Sequence, residues 1–250
     1  MKLRVFTAVF LIILIPATIH SDNCNNKINN KLKKTEHLYN KYYKENKDLK
    51  LLKKANSIFD SLITKYPNKE KIYWKAAESC YKLAEEIDNN KLKIYKKGKN
   101  YASKAIEINS RCGKGYFWKA TLTAKIAQNK GITKSISMIK PMRDMAKKSI
   151  KFNPEFGPAY HLLAKIYTKA PGWPISIGDD KKALQYRIKS TKYSPDNILY
   201  KWELYKNFKK LNKNKKARKT LKSIVRSNPK NKKDVTLRKK AKKELEETKK

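Results

Sequence analysis

The recurrence of one closing signal along the chain is the feature that most constrains its fold. Helix-like segments end at residues 67, 110, 154, 195 and 229, four of which are proline, so that the intervals are 43, 44, 41 and 34 residues. Proline cannot continue a helix, and it therefore marks where each segment stops. A fixed internal period in this range predicts stacked helical units, each too small to bury its apolar face alone.

The unit that closes at Pro195 has the clearest internal pattern. Its first half places Tyr160, Leu163, Ala164 and Tyr167 on one helix face. Its second half places Ala183, Arg187 and Ser190 at helical spacing before the closing proline, and Ala183 and Ser190 are small. This order of large, small and proline positions is typical of the tetratricopeptide repeat. The sequence therefore predicts an all-α, tetratricopeptide-like helical-hairpin solenoid of about four to five units over residues 35–229. We expect the residues beyond the usual repeat length to lie mostly in the bends between paired helices.

Both ends of the chain differ from the repeats. Residues 1–21 combine Lys2 and Arg4 with an apolar run, which predicts a signal peptide, with an uncleaved anchor as the alternative. Residues 22–34 are polar and predict a tether. Residues 230–250 predict a Lys-rich capping helix with one apolar stripe. We therefore expect an exported, periplasmic protein, and contact with a membrane only if the signal is uncleaved or Cys24 is lipidated.

The chain has three cysteines. Cys24 follows the signal and is a candidate for lipid attachment, but the preceding Ser21, Asp22 and Asn23 match a lipoprotein signal poorly, so a free or paired thiol is the favoured reading. Cys80 and Cys112 lie at different levels of neighbouring predicted helices, too far apart for a disulfide. Both are expected to be buried small apolar residues.

The composition is strongly basic, with 62 Lys and Arg against 21 Asp and Glu and a formal net charge of +41. Such a charge is compatible with nucleic acid or an anionic surface as partner. However, almost all of it is lysine, whereas base recognition favours arginine. We interpret the charge as a solvated lysine-rich surface and do not expect a nucleic-acid partner.

The sequence carries little that could perform catalysis. Apart from His20 in the signal, only His37 and His161 are present, far apart in the chain, and there is no metal-ligand cluster or phosphate-binding glycine loop. Asp179 and Asp180 precede a predicted helix, which N-capping explains. We therefore predict a protein that is not an enzyme, with no catalytic residue, metal site or cofactor.

Aromatic residues recur at equivalent places of successive units. Trp74, Trp118, His161 and Trp202 are separated by 44, 43 and 41 residues, which matches the repeat. First helices of such units line a groove, and aromatic rings there would offer apolar area with a polar edge. The alternative is that the rings fill gaps between helices. The predicted ligand-binding groove comprises Trp74, Tyr81, Phe117, Trp118, Leu122, His161 and Trp202.

The segment from Ala164 to Asp196, together with the signal sequence, resembles the T-component family of TRAP-type periplasmic transporters, which are exported tetratricopeptide-like proteins. Its most specific part is the inserted loop and the helix start after it, with marker residues Pro171, Gly172, Trp173, Pro174, Gly178, Asp179 and Asp180. The resemblance implies a homotrimer that docks a periplasmic solute-binding protein and holds an apolar small ligand. Trp173 is expected to hold the loop or a subunit contact.

The function expected from these features is that of a non-enzymatic periplasmic helical-repeat subunit associated with a TRAP-type transport system. It would dock a solute-binding protein and hold an apolar ligand in the aromatic groove. The alternative is a general envelope adaptor that binds an acidic protein or surface.

Overall fold

The computed structural model describes residues 17–43, 48–128 and 132–247, and it describes no side chains for residues 17–24 and 132–135. The first sixteen residues of the predicted signal peptide therefore lie outside the described residues, as does the side chain of Cys24. Within the described ranges the chain forms helices and no strand, and its single isolated bridge joins Gly172 and Gly178. The all-α prediction is confirmed.

Ten of the described helices form five consecutive antiparallel pairs, and an eleventh follows them. Each helix packs chiefly on its neighbours in the chain, which is the arrangement of a helical-hairpin solenoid. The predicted solenoid is confirmed. The bounds are α1 (Ala17–Lys41), α2 (Leu49–Lys65), α3 (Glu70–Glu86), α4 (Lys91–Ile108), α5 (Gly113–Ala127), α6 (Ile132–Phe152), α7 (Gly157–Lys169), α8 (Asp180–Tyr193), α9 (Ile198–Lys210), α10 (Asn214–Val225) and α11 (Lys232–Glu247).

Small residues let the paired helices approach closely. In the second unit, Ala77 of α3 and Ala102 of α4 are completely buried. A Cβ atom added to Gly98 of α4 would lie 2.8 Å from the Cβ of Cys80 and 3.1 Å from Cδ1 of Leu122. Real Cβ atoms do not approach neighbours so closely, so glycine is needed where α4 crosses α3.

The extra length of the second and third units lies in their helices, and the prediction that it lies in the bends is wrong there. Helix α4 has 18 residues and α6 has 21, whereas α10 of the fifth unit has 12. The bends of the second and fifth units, residues 87–90 and 211–213, are short. Among the bends that lie wholly within the described ranges, that of the fourth unit is long, residues 170–179, and there the prediction is confirmed.

The predicted tether of residues 22–34 is also wrong. These residues belong to α1, and Ile28 and Leu32 are buried against Phe59, Leu62 and Ile72. The two apolar side chains are four residues apart and so lie on the same helix face. Because asparagine and lysine occupy most of the intervening positions, the helical period was difficult to recognise in the sequence.

Helix α11 closes the C-terminal end of the stack. Leu237 and Ala241 are buried, and Leu245 packs beside them against α9 and α10. The apolar stripe predicted for a capping helix therefore makes the expected contact. Within the described ranges, none of these helices combines the length and apolar character needed to cross a bilayer.

Candidate ligand-binding groove

The first helices of successive units lie side by side. Helix α3 contacts α5, and α5 contacts α7. The rings of Tyr81 on α3 and Trp118 on α5 have their centroids 5.4 Å apart. Residues spaced three or four apart along these helices therefore form one continuous surface across several units.

A cavity of about 430 Å³ opens where α5, α6 and α7 meet. Its wall is mostly apolar and includes Ala124, Ile136, Ile139, Leu162 and Ile166. The volume lies in the range of small-molecule sites in proteins. Thr121 also lines the cavity, and within the described residues its hydroxyl oxygen is buried without a hydrogen-bond partner. The wall thus combines apolar area with a free polar atom, as a site for an organic ligand does.

Helix α6 supplies one side of this cavity through its additional length. Ile136 and Ile139 lie in the first half of the 21-residue helix, and Met142 follows them on the same wall. A helix as short as α10 that ended at the same place would begin at about residue 141, because 12 residues is its whole length. The extra turns of α6 are therefore the part that encloses the space.

An ion pair between two units marks one rim of the cavity. Lys125 of α5 places its Nζ 2.6 Å from Oε1 of Glu85 on α3, and Tyr95 donates a hydrogen bond to the same carboxylate. Burial alone would raise the pKa of Glu85, but the hydrogen bonds from Lys125 and Tyr95 outweigh it, and the pKa is lowered. Glu85 is therefore an anion that holds Lys125 in place.

Two further lysines on α7 border the cavity. Lys165 and Lys169 both line it, and neither makes an ion pair within the described residues. Desolvation by the surrounding helices lowers the pKa of Lys165, and repulsion from Lys169 and Lys125 lowers it further. A negatively charged ligand group at this rim would relieve that repulsion.

His161 lies one turn before Lys165 on α7 and stacks on Tyr200 of α9, with ring centroids 4.1 Å apart. Within the described residues its Nδ1 atom is buried and has no hydrogen-bond partner. Burial lowers the pKa of His161 to about 3, with Lys165, Arg187 and Lys233 contributing. The ring is therefore neutral at physiological pH and bridges the fourth and fifth units by stacking.

Among the described residues, the structure brings only Tyr81 of the predicted groove set to the cavity wall. Trp118 stands beside Tyr81, and Phe117 packs on Trp118 and on Phe156. Leu122 is completely buried against Tyr95 and Ala102, so its assignment to the groove is wrong. It lies one position after Thr121, which does line the cavity. An error of one residue in the predicted register therefore assigned a core residue to the groove.

The two outer tryptophans have other surroundings. Trp74 lies in the first half of α3, where the Nζ of Lys114 is 4.4 Å from the centre of its ring. Trp202 packs on the apolar cluster of α9, α10 and α11, with its ring 5.1 Å from that of Tyr205. Neither reaches the cavity wall. For Trp202 the gap-filling alternative therefore describes the contacts found.

The inserted loop forms one lip of the cavity. Ala170 and Pro171 line it, while Trp173 is 88% exposed. The reading of Asp179 as a helix N-cap is confirmed, because its side chain accepts a hydrogen bond from the backbone N–H of Lys182 at 2.9 Å. Asp180 pairs with Lys210 of the fifth unit at 2.6 Å.

Cys80 and Cys112 are free and buried, as predicted. Burial raises the pKa of Cys80 to about 12. The Sγ atom of Cys112 accepts a hydrogen bond from the backbone N–H of Gly115 at 3.4 Å and so caps α5. Both thiols are therefore structural, and neither lines the cavity.

Sequence reasoning missed the polar rim and the α6 wall of this site. The repeat register could have predicted the rim residues, because they follow the aromatic positions at intervals of three and four residues. They are Thr121, Lys125 and Gln128 after Trp118, and Lys165 and Lys169 after His161. The α6 wall carried no such signal. An apolar helix face looks the same in sequence whether it meets another helix or an empty space.

The model of the family described as regulator of microtubule dynamics protein 1-3 matches residues 31–167, more than half of the chain. No curated protein sequence matches the chain.

Solved tetratricopeptide proteins resemble the structure. TTC0263 of Thermus thermophilus has 14% identity and a TM-score of 0.64, and the match covers 87% of this chain and 98% of that one. YrrB, a tetratricopeptide protein with an unusual peptide-binding site, has 14% identity and a TM-score of 0.49, with 75% and 84% covered. At these identities the likeness to TTC0263 establishes the fold and nothing about ligands.

Proposed function

This chain belongs to the regulator of microtubule dynamics protein 1-3 family, and we propose that it is a non-enzymatic helical-repeat binding protein that holds an amphipathic ligand in its groove. The observation that carries the proposal is the apolar cavity of about 430 Å³ with a cationic rim. An apolar ligand body would fill the space lined by Leu162, Ile166 and Met142. An acidic group at its end would meet Lys165 and Lys169.

The energetics of such binding favour a ligand with both parts. Apolar surface removed from water contributes roughly 25 cal/mol per Å², so the cavity wall supplies most of the binding free energy. The lysines add selectivity for an anionic end, because an uncharged ligand leaves their repulsion in place. Thr121 offers one hydrogen bond inside the wall, which an ester, amide or hydroxyl group would accept or donate.

Filling the cavity tests the proposal directly. Ala124→Leu adds three carbon atoms to the wall, and we expect it to weaken binding of a fluorescent long-chain fatty acid by about tenfold or more. Thr236→Leu introduces the same side chain at an exposed position of α11 and should leave binding unchanged. Equal affinity of both variants for the probe would exclude the cavity as the site. Native mass spectrometry of the purified protein would identify any retained ligand and the oligomeric state.

A role beside a TRAP-type transporter, with docking of a periplasmic solute-binding protein and assembly as a homotrimer, is a finer version of this proposal. It is supported by the loop of residues 171–177, which lies beyond the part matched by the family model. In this version the protein is exported to the periplasm, and it contacts the membrane only if Cys24 is lipidated or the signal is uncleaved. N-terminal sequencing of the purified protein would test cleavage of the signal, since an intact Met1 would contradict cleavage at residue 21.

The second candidate function is that of an adaptor for an acidic protein, and the net charge of +41 favours it. Regulation of microtubule dynamics, which the family description names, would also involve a protein partner. Such an adaptor would lose partner affinity steeply with rising salt and would carry no retained ligand. Ligand binding that is abolished by Ala124→Leu while partner capture is unchanged would separate the two candidates.

A further inference from the structure

The loop between α7 and α8 exposes the two least buried large apolar side chains of the described residues. Trp173 is 88% exposed and Ile175 is 70% exposed, whereas Ile188, the next in order, is 45% exposed. The other three tryptophans are partly buried. Large apolar side chains that are exposed side by side at a loop tip are typical of an interaction site.

Backbone hydrogen bonds hold this loop in an outward conformation. The N–H of Gly178 donates to the carbonyl of Pro171 at 2.7 Å, and the N–H of Ser176 donates to the carbonyl of Gly172 at 3.0 Å. A Cβ atom on Gly178 would lie 2.2 Å from the carbonyl oxygen of Ala170, so glycine is required at the base. The exposure of Trp173 therefore results from a closed loop and not from a lack of local structure.

The charge around the loop is positive. Its two acidic neighbours are paired within the protein, Asp179 with Lys182 and Asp180 with Lys210. Lys169 before the loop and Lys181 after it are exposed, and neither makes an ion pair within the described residues. Lys213, in the bend of the next unit, is also exposed. The apolar tip is therefore flanked in the chain by Lys169 and Lys181, which make no ion pair within the described residues, while the adjacent aspartates are paired with other lysines.

We propose that this loop docks the protein onto an anionic lipid surface, with Trp173 and Ile175 inserted at the headgroup level and Lys169 and Lys181 against lipid phosphates and carboxylates. Tryptophan prefers the interface of a bilayer because its ring is apolar with one N–H donor. Lysines next to an anionic leaflet add electrostatic attraction. Lysine is depleted in protein–protein interfaces, so lysines beside the tip favour a lipid surface over a protein partner.

Docking through this loop would bring the cavity mouth close to the lipid surface. Ala170 and Pro171 belong both to the loop base and to the cavity wall. A surface that holds the tip would therefore lie next to the cavity mouth. The docking does not depend on the proposed ligand, because it is argued from exposure and charge alone.

The test measures binding of the full chain to vesicles of phosphatidylcholine with and without phosphatidylserine. At physiological salt, we expect the double variant Trp173→Ser, Ile175→Ser to bind phosphatidylserine vesicles about tenfold more weakly than the unchanged protein. Ile188→Ser, Val235→Ser removes two other exposed apolar side chains and should bind as the unchanged protein does. Lys169→Ala, Lys181→Ala should weaken binding more than Lys239→Ala, Lys240→Ala on α11.

Insertion has its own readout. Lipids brominated near the headgroup should quench Trp173, and a Trp173→Phe variant should lose most of that quenching while still binding. Equal vesicle binding by the unchanged protein and the Trp173, Ile175 double variant would overturn the proposal, because the attraction would then come from charge alone. A change of oligomeric state in the double variant, with vesicle binding unaltered, would instead assign the loop to a contact between copies. Ala124→Leu should bind vesicles normally, so failure of the ligand proposal and failure of docking are separate results.

Discussion

The junction of the third and fourth units and the C-terminal end of the stack differ in how completely their apolar helix faces are covered. At the C-terminal end, Leu221 and Ile224 of α10 meet Phe208 of α9 and the stripe of α11, and the apolar space is filled. At the junction, the apolar faces of α5, α6 and α7 leave a cavity of about 430 Å³. One repeat pattern can therefore give either a closed core or a binding site, depending on the length of the helix that covers it.

The largest effect should come from removing core volume at the closed end. We expect Leu221→Ala to lower the free energy of unfolding by about 3 kcal/mol, because Leu221 is completely buried and its removal leaves a new cavity. Met142→Ala at the junction should cost less, about 2 kcal/mol, since the buried side chain already borders open space on one side. Urea denaturation of both variants measures the difference. Equal losses would mean that the junction is packed as tightly as the closed end.

The second prediction concerns pH at His161, which joins the junction to the closed end. The folded pKa of about 3 lies below the ordinary 6.5, so the unfolded chain takes up a proton that the folded chain refuses. The stabilisation from a neutral ring is therefore present above about pH 6.5 and is lost as the pH falls. We expect a loss of about 2 kcal/mol between pH 7 and pH 5 from this group.

The matched control for this prediction is His161→Phe, which keeps a ring to stack on Tyr200 but cannot titrate. Its unfolding free energy should fall less between pH 7 and pH 5 than that of the unchanged protein, by the same 2 kcal/mol or so. Charge repulsion across a chain of this net charge affects both proteins and cancels in the difference. Identical pH profiles would show that His161 is protonated in the folded state.

The smallest effect should come from the caps that follow the two kinds of bend. Asp179 caps α8 after the long bend, and Asn197 caps α9 after a short connection, each accepting one backbone hydrogen bond. Replacement of either by alanine should cost about 1 kcal/mol in urea denaturation. A much smaller cost for Asp179→Ala would indicate that the long bend does not hold α8 as firmly as a short connection holds α9.

The sequence predicted the repeats well because their signals are local. A proline or an asparagine follows the end of each second helix within three residues, and buried alanines such as Ala77 and Ala183 recur where helices cross. Helix α1 was missed in part because Ile28 and Leu32 stand alone among asparagines and lysines. Their burial depends on Phe59 and Ile72, which lie in other helices. Local pattern cannot report a contact whose partner lies thirty or more residues away.

The candidate site was predicted less well for a related reason. The aromatic register found Tyr81 and Trp118 on the surface shared by the first helices. It also included Leu122, which a rotation of one residue places in the core. Ile136 and Ile139 were not recognised, since whether an apolar face is covered depends on how far the neighbouring helix extends. That length was predicted to lie in the bends, and the structure places it in α6.

The long α6 also bears on how such a protein can change over time. The first half of α6 follows the bend and lines the cavity through Ile136 and Ile139. Insertion or deletion of one helical turn there would alter ligand capacity in steps of about 5 Å of helix while the repeats continued to stack. Binding range and fold maintenance would thus be encoded in separate stretches of the chain. Selection for a longer or shorter ligand would not need to compromise the solenoid.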